Sequence, residues 1–132
     1  MPVVTASSFA DPNDVVAYND AKARGCSEEE ALRFGDNGKG KWGDDTSLFN
    51  KLMCALPPED LEEKWGNVDA ARGKKVSVTY KGKTVICELR DTMPHKANIT
   101  NGAGIDLNPA FGKEFKCDPP FMLHNVKWEW AD

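Results

Sequence analysis

No apolar run in this chain approaches the ~20 residues a membrane-crossing helix requires, so no helical span is expected. There is no basic stripe either. The 17 Lys and Arg are scattered among 21 Asp and Glu, the net charge is −4, and a nucleic-acid partner is therefore not expected. The four cysteines, Cys26, Cys54, Cys87 and Cys117, are widely spaced and form no CxxC, which argues against zinc. Three complete disulfide pairings are open to them, as is the alternative of buried free thiols, which suits Cys87 within a strand. No local His–Cys arrangement marks a nucleophile. The Gly- and Asp-rich run Gly35 to Thr46 lacks the ligand spacing and closing Glu of a calcium loop, so neither metal nor other cofactor is expected. The start, MPVVTASSFADPND, has no basic n-region and no apolar h-region and does not read as a signal peptide. Repeats and low-complexity segments are missing too.

What is present is an ordinary globular composition, 40% hydrophobic and 29% charged over 132 residues, enough for one domain with its own core. The first third reads as a helical pair. Asp11-Pro12-Asn13-Asp14 opens one helix that Gly25 closes; Ser27 and Glu30 form a capping box that opens the next, which Gly35 ends. This gives a helical N-terminal extension over 1–39, with the remaining domain over 40–132. A short strand is expected at Lys41-Trp42, a buried segment over Leu48 to Leu56, and one or two helical turns over Pro58 to Trp65. Strands Val76–Tyr80 and Thr84–Leu89 alternate around the turn Lys81-Gly82-Lys83. A short helix over Ala110 to Phe115 and a last alternating strand, Met122 to Trp130, complete the chain. Short strands, turns and small helices indicate a mainly β, barrel-like domain.

The stretch Gly73 to Phe111 carries the chemistry. Its second strand runs into Asp91; a Gly- and Asn-rich loop leads to Gly104-Ile105-Asp106-Leu107-Asn108-Pro109, read as a helix start. Carboxylates at element boundaries are held by backbone yet face solvent, as acid–base work on a polar substrate needs. The alternatives are structural: Asp106 accepting backbone N–H groups near a helix start, Asp91 bracing its loop with Thr92.

The blocks CALP, GKKVSVTYKGKTVICELRDTMP, GIDLNPAF and VKWEW follow in the order of a known pattern. Over roughly Gly40 to Trp130 the chain resembles the double-psi β-barrel domain shared by bacterial rare lipoprotein A, barwin-like proteins, expansins and family-45 endoglucanases. The resemblance implies a six-stranded double-psi β-barrel with a polysaccharide groove across one face. It implies Asp91 and Asp106 as catalytic carboxylates, with Asp45 as a further acid. Asp44 and Thr46 are the polar alternatives beside Asp45, and Trp42, Tyr80, Thr92 and His95 are further substrate-binding candidates read from the residues themselves. Trp42 is read either as core or as a sugar platform, and Trp42, Trp65 and Tyr80 are candidates for an aromatic row. The chain departs from the lytic lipoprotein A branch: it has no T-A-N-G-E block, and Met53 stands where that branch has His.

Two functional expectations follow. One is an enzyme acting on peptidoglycan or a related β-linked glycan, as a lytic transglycosylase or hydrolase. The other is a non-catalytic barrel that binds glycan, loosens it as expansins do, or joins a protein partner in a larger assembly. Both place the protein outside the cell, in a periplasm or in a particle.

Overall fold

A computed structural model describes residues 3–132. Six strands close into a barrel in the order β1-β5-β2-β4-β3-β6. They are β1 Val3–Ser8, β2 Met53–Leu56, β3 Lys75–Tyr80, β4 Lys83–Thr92, β5 Ala103–Leu107 and β6 Met122–Trp130. β1 runs parallel to β5 and β2 parallel to β4, while the remaining neighbours are antiparallel. Closure leaves no strand edge unpaired. The mainly β, six-stranded barrel expected from sequence is what the chain forms.

Four helices decorate it: α1 Pro12–Ala23, α2 Glu28–Leu32, α3 Pro58–Trp65 and α4 Phe111–Phe115. The Ser27–Glu30 capping box forms as read. The proposed extension over 1–39 needs correction, however. It opens with β1, which lies between β5 and β6 in the barrel, so the barrel begins at Val3 and α1 and α2 are an insertion after its first strand. Lys41-Trp42 forms no strand, only a loop beside the isolated bridge Lys39–Asp45. The expected buried segment is buried only from Met53 to Leu56, leaving Leu48 and Phe49 exposed. Asp106 lies within β5 rather than at a helix start. All four cysteines are free thiols, with Cys54 and Cys87 buried.

The interior follows the period of two. Val76 and Val78, Cys87 and Leu89, and Ile105 and Leu107 point inward and are buried, with Phe111 of α4 packed among them. Fully burying a side chain of this size contributes ~1.5–3 kcal/mol. The loop between Thr46 and Lys51 has no regular structure and is pinned by one side chain. Buried Asn108 accepts from Met53 N–H at 3.1 Å and donates to the carbonyls of Thr46, Leu48 and Lys51 at 3.2, 3.3 and 2.8 Å. Asn108→Ala leaves those groups without a partner in the interior. It is expected to lower stability by about 2–4 kcal/mol, read as a lower urea midpoint at unchanged m-value.

Candidate active site

Three β-bulges set which side chains face outward. Along β4, Cys87 and Leu89 face the core, and strict alternation would send Asp91 there too. The register shifts instead: Cys54 of β2 pairs with Leu89, but the next residue, Ala55, pairs with Asp91. Arg90 is the extra residue, and the bulge turns Asp91 to the outer face. Asp106 also pairs with Ala55, from the other side. Gly104 is extra in β5, after which Ala6 meets Ile105 inside and Ser7 meets Asp106 outside. Asn125 is extra in β6, where its φ of 59° suits an Asn. Ser7, Asp106, Ala55 and Asp91 thus form one row across four strands. Asp91 and Asp106 flank Ala55 at two strand spacings, ~9.5 Å between backbones.

Each carboxylate is held differently. Asp91 Oδ1 accepts the N–H groups of Lys41 and Thr92, both at 2.8 Å. The loop carrying Lys41 comes this close because residue 40 is Gly: a Cβ there would lie 2.0 Å from the Arg90 carbonyl oxygen. Burial raises the Asp91 carboxyl above its ordinary value, and the two N–H donors oppose the shift. Asp106 accepts only the Ser7 hydroxyl. Burial, then the fields of Asp91 and Asp11, push it up to about 6. A cavity of about 130 Å³ opens beside Asp106, walled by the loop after β4, with Met93, Ile99, Asn98, Thr100 and Asn101.

Two further acids lie near enough for their fields to reach the pair, Asp11 at Asp106 and Asp36 at Asp91. Asp11 precedes α1 and is only 7% exposed. One of its oxygens accepts from Ser8 at 3.0 Å, and the other is buried with no partner. Burial raises its carboxyl as well. Asp36 accepts from Ala10 N–H at 3.3 Å and Gly38 N–H at 2.7 Å. Ala10 joins β1 to α1 at φ 54°, a conformation that favours glycine, so backbone strain sits beside these two acids.

Of the residues expected from sequence, Asp91, Asp106 and Thr92 share this site. The others do not. Asp45 accepts from the backbone and hydroxyl of Ser47 and closes a local turn. Asp44 is tied to Arg72 at 3.3 Å and Arg90 at 3.6 Å. Thr46 is fully buried. Trp42 packs on the core and donates to Asp69 at 2.9 Å. Tyr80 pairs with Lys83 at the hairpin end, eight residues from Asp91 and so ~26 Å along the strand; it packs against Phe115. Trp65 stacks edge-on with Trp130, so the aromatic row does not form beside the carboxylates. His95 lies on the loop that walls the cavity, but it pairs with Glu59 of α3, which raises its pKa. Ser7, Asp11 and Asp36 were not singled out from sequence. The alternation of VVTASS was the available signal for Ser7.

The topology defines the class: a mainly β protein with a closed six-stranded, double-psi β-barrel-like fold. Among solved structures the chain is similar to the Streptomyces papain inhibitor, with a TM-score of 0.56 and 18% identity over 99% of this chain and 94% of that one. At that identity the likeness is one of fold. No protein-family model matches the chain, and no curated protein matches it in sequence.

Asp106 sets a stability prediction. Its folded-state carboxyl, near 6 against an ordinary 3.8, binds its proton more tightly than the unfolded chain does. Ionising it therefore costs stability as pH rises through about 4 to about 6. Asp106→Asn keeps an acceptor for Ser7 and removes that cost. At neutral pH the variant is expected to be more stable by up to about 2–3 kcal/mol, the gain vanishing below about pH 4, as read by urea unfolding across pH.

Proposed function

We propose that this barrel acts on a cell-wall polysaccharide, cleaving peptidoglycan or a related β-linked glycan with Asp106 as the proton donor. The observation that carries the reading is Asp106 itself: a half-buried carboxyl raised to about 6, held by one hydroxyl and facing a cavity. Glycosidic cleavage needs an acid of this kind to protonate the leaving oxygen. Asp91, whose N–H donors favour the ionised form, is the complementary base. It stands across Ala55 from Asp106, with ~9.5 Å between the two backbones, so both carboxylates share one face of the barrel. The resemblance to wall-acting double-psi barrels supports the same assignment, and with it a place outside the cell, in a periplasm or in a particle.

A second reading is a non-catalytic barrel that binds glycan or a protein partner. The absent T-A-N-G-E block and Met53, buried where the lytic branch has His, favour it. So does a structural neighbour whose name makes it an inhibitor of a protease.

Release of soluble fragments from purified peptidoglycan, with chitin and cellulose in parallel, separates the two. The wild type is expected to release fragments, and Asp106→Asn to lower the rate by about 10²–10⁴ while staying folded. Mass spectrometry reads the chemistry: reducing ends mark a hydrolase, anhydro ends a lytic transglycosylase. Activity requires protonated Asp106, so it is expected to fall about tenfold per pH unit above about 6. No product from any glycan with folded protein ends the enzyme reading for these substrates.

A further inference from the structure

We propose that the groove around Phe49 is a docking site for a protein partner, held through an extended acidic segment that carries an apolar side chain. The surface is separate from the carboxylate row: Ser7, Ala55, Asp91 and Asp106 line neither of its cavities. It therefore stands or falls apart from the glycan reading.

The loop that precedes β2 builds the groove. A cavity of about 420 Å³ lies on one side of Phe49, walled by that loop, the start of β3, β4 and α4. A second, of about 320 Å³, lies on the other side. Phe49 and Lys113 of α4 line both. Each cavity falls within the ~300–1,000 Å³ of natural ligand sites. Phe49 is 59% exposed, and Ile86, on the wall of the larger cavity, is 50% exposed.

Phe49 is not left out by a slack loop. The buried Asn108 amide holds the carbonyls of Thr46, Leu48 and Lys51, so the backbone is fixed on both sides of the ring. Asp45 closes the start of the loop through the Ser47 N–H and hydroxyl. Folding has thus already met the ordering cost that a mobile loop would meet on binding. An aromatic side chain held rigidly beside a cavity is the form that interface anchors take.

The charge on the walls selects the partner. Lys51, Lys75 and Lys113 line the larger cavity, with two acids, Glu88 and Glu114. Both acids are met by cations from outside it, Glu88 by Arg90 at 2.7 Å and Glu114 by Lys83 at 2.9 Å. Lys51 and Lys75 add to a Glu88 that Arg90 already binds, at 3.4 and 3.8 Å. Positive charge is therefore in surplus here, on a chain whose net charge is −4. A neutral partner leaves that surplus unanswered, and a polyanion without apolar side chains leaves Phe49 and Ile86 in water. Asn50, on the same wall, offers the donor and the acceptor that a peptide bond pairs with. Lysines for carboxylates, an amide for backbone and exposed apolar surface for one side chain together describe an acidic peptide.

The test uses the whole chain, amide NMR and three capped heptapeptides. One has Asp and Glu around a central Phe; the second has Ala at the centre; the third keeps the Phe and has Asn and Gln in place of the acids. Oligogalacturonate and oligothymidylate of equal charge are the polyanion probes. The acidic Phe peptide is expected to bind at least about tenfold more tightly than every other probe, at amides of Asn50, Leu52, Ile86 and Lys113. Its affinity is expected to fall with salt. Phe49→Ala and Lys113→Glu are each expected to weaken it at least about fivefold. Lys127→Glu, the same charge change on β6 outside the groove, is expected to weaken it less than about twofold. Phe49 and Lys113 are exposed, so both variants are expected to keep the wild-type urea midpoint, and either one suffices if the other does not fold. Equal binding by the Ala peptide or by a polyanion overturns the inference in favour of a charge-only site. Equal binding by the neutral Phe peptide overturns the selection by charge. Binding at other amides, an equal loss in Lys127→Glu, or no binding by any probe overturns it too.

Discussion

The register at Ala55 governs the outer face of this barrel. One small, buried residue has an aspartate on each side because β2 is paired parallel to β4 and antiparallel to β5. Neither pairing alone would suffice. Without the extra residue at Arg90, Asp91 would continue the inward series of Cys87 and Leu89 and meet the apolar core, where an ionised carboxylate is prohibitive. The bulge converts a side chain that would break the core into one on the outer face. Arg90 then contributes twice. Its backbone is the added residue, and its guanidinium binds Glu88 and Asp44 and so ties the Gly40 loop to the barrel.

That loop shows how the fold holds an acid without neutralising it. Gly40 lets the backbone approach the Arg90 carbonyl, and the next N–H reaches Asp91. A backbone N–H orients and partly stabilises a carboxylate but brings no full charge. Asp36 and Asp11 are held on the same principle, by N–H groups and by a hydroxyl. At Asp91 and Asp11 the arrangement fixes geometry while burial keeps the carboxyl above its ordinary value. A lysine or arginine in any of these places would give the same rigidity and depress the pKa that makes Asp106 useful near pH 6.

The parts of this structure that were legible in sequence are those with a local period. β3, β4 and β6 alternate over enough residues, with a turn between the first two, to be read directly; the Ser27–Glu30 box and the Pro58 helix have equally local signatures. β1 was overlooked because VVTASS is short and runs straight into the Asp11-Pro12 helix start, which dominated the reading. The bulges carry no signature in a single sequence, since a one-residue insertion in a ladder shows only against its partner strand. Asp91 and Asp106 were therefore found through motif order, and the reason they meet was not. Asp45, Thr46 and Tyr80 were chosen for residue type and position in the motif. A turn, full burial and the far end of the hairpin, respectively, take them out of the site.

Closure of the barrel links the overlooked strand to the chemistry. β1 lies between β5 and β6, so the residue facing Asp106 from that side comes from β1, and the register makes it Ser7. An apolar residue there would leave Asp106 with burial and neighbouring charge alone and no fixed direction for its proton. A basic one would ionise it. A hydroxyl donates to the carboxylate and turns to accept once the carboxyl is protonated, so Ser7 accommodates both states of the acid without moving the backbone. The strand that completes the barrel thereby also supplies the hydroxyl that orients Asp106.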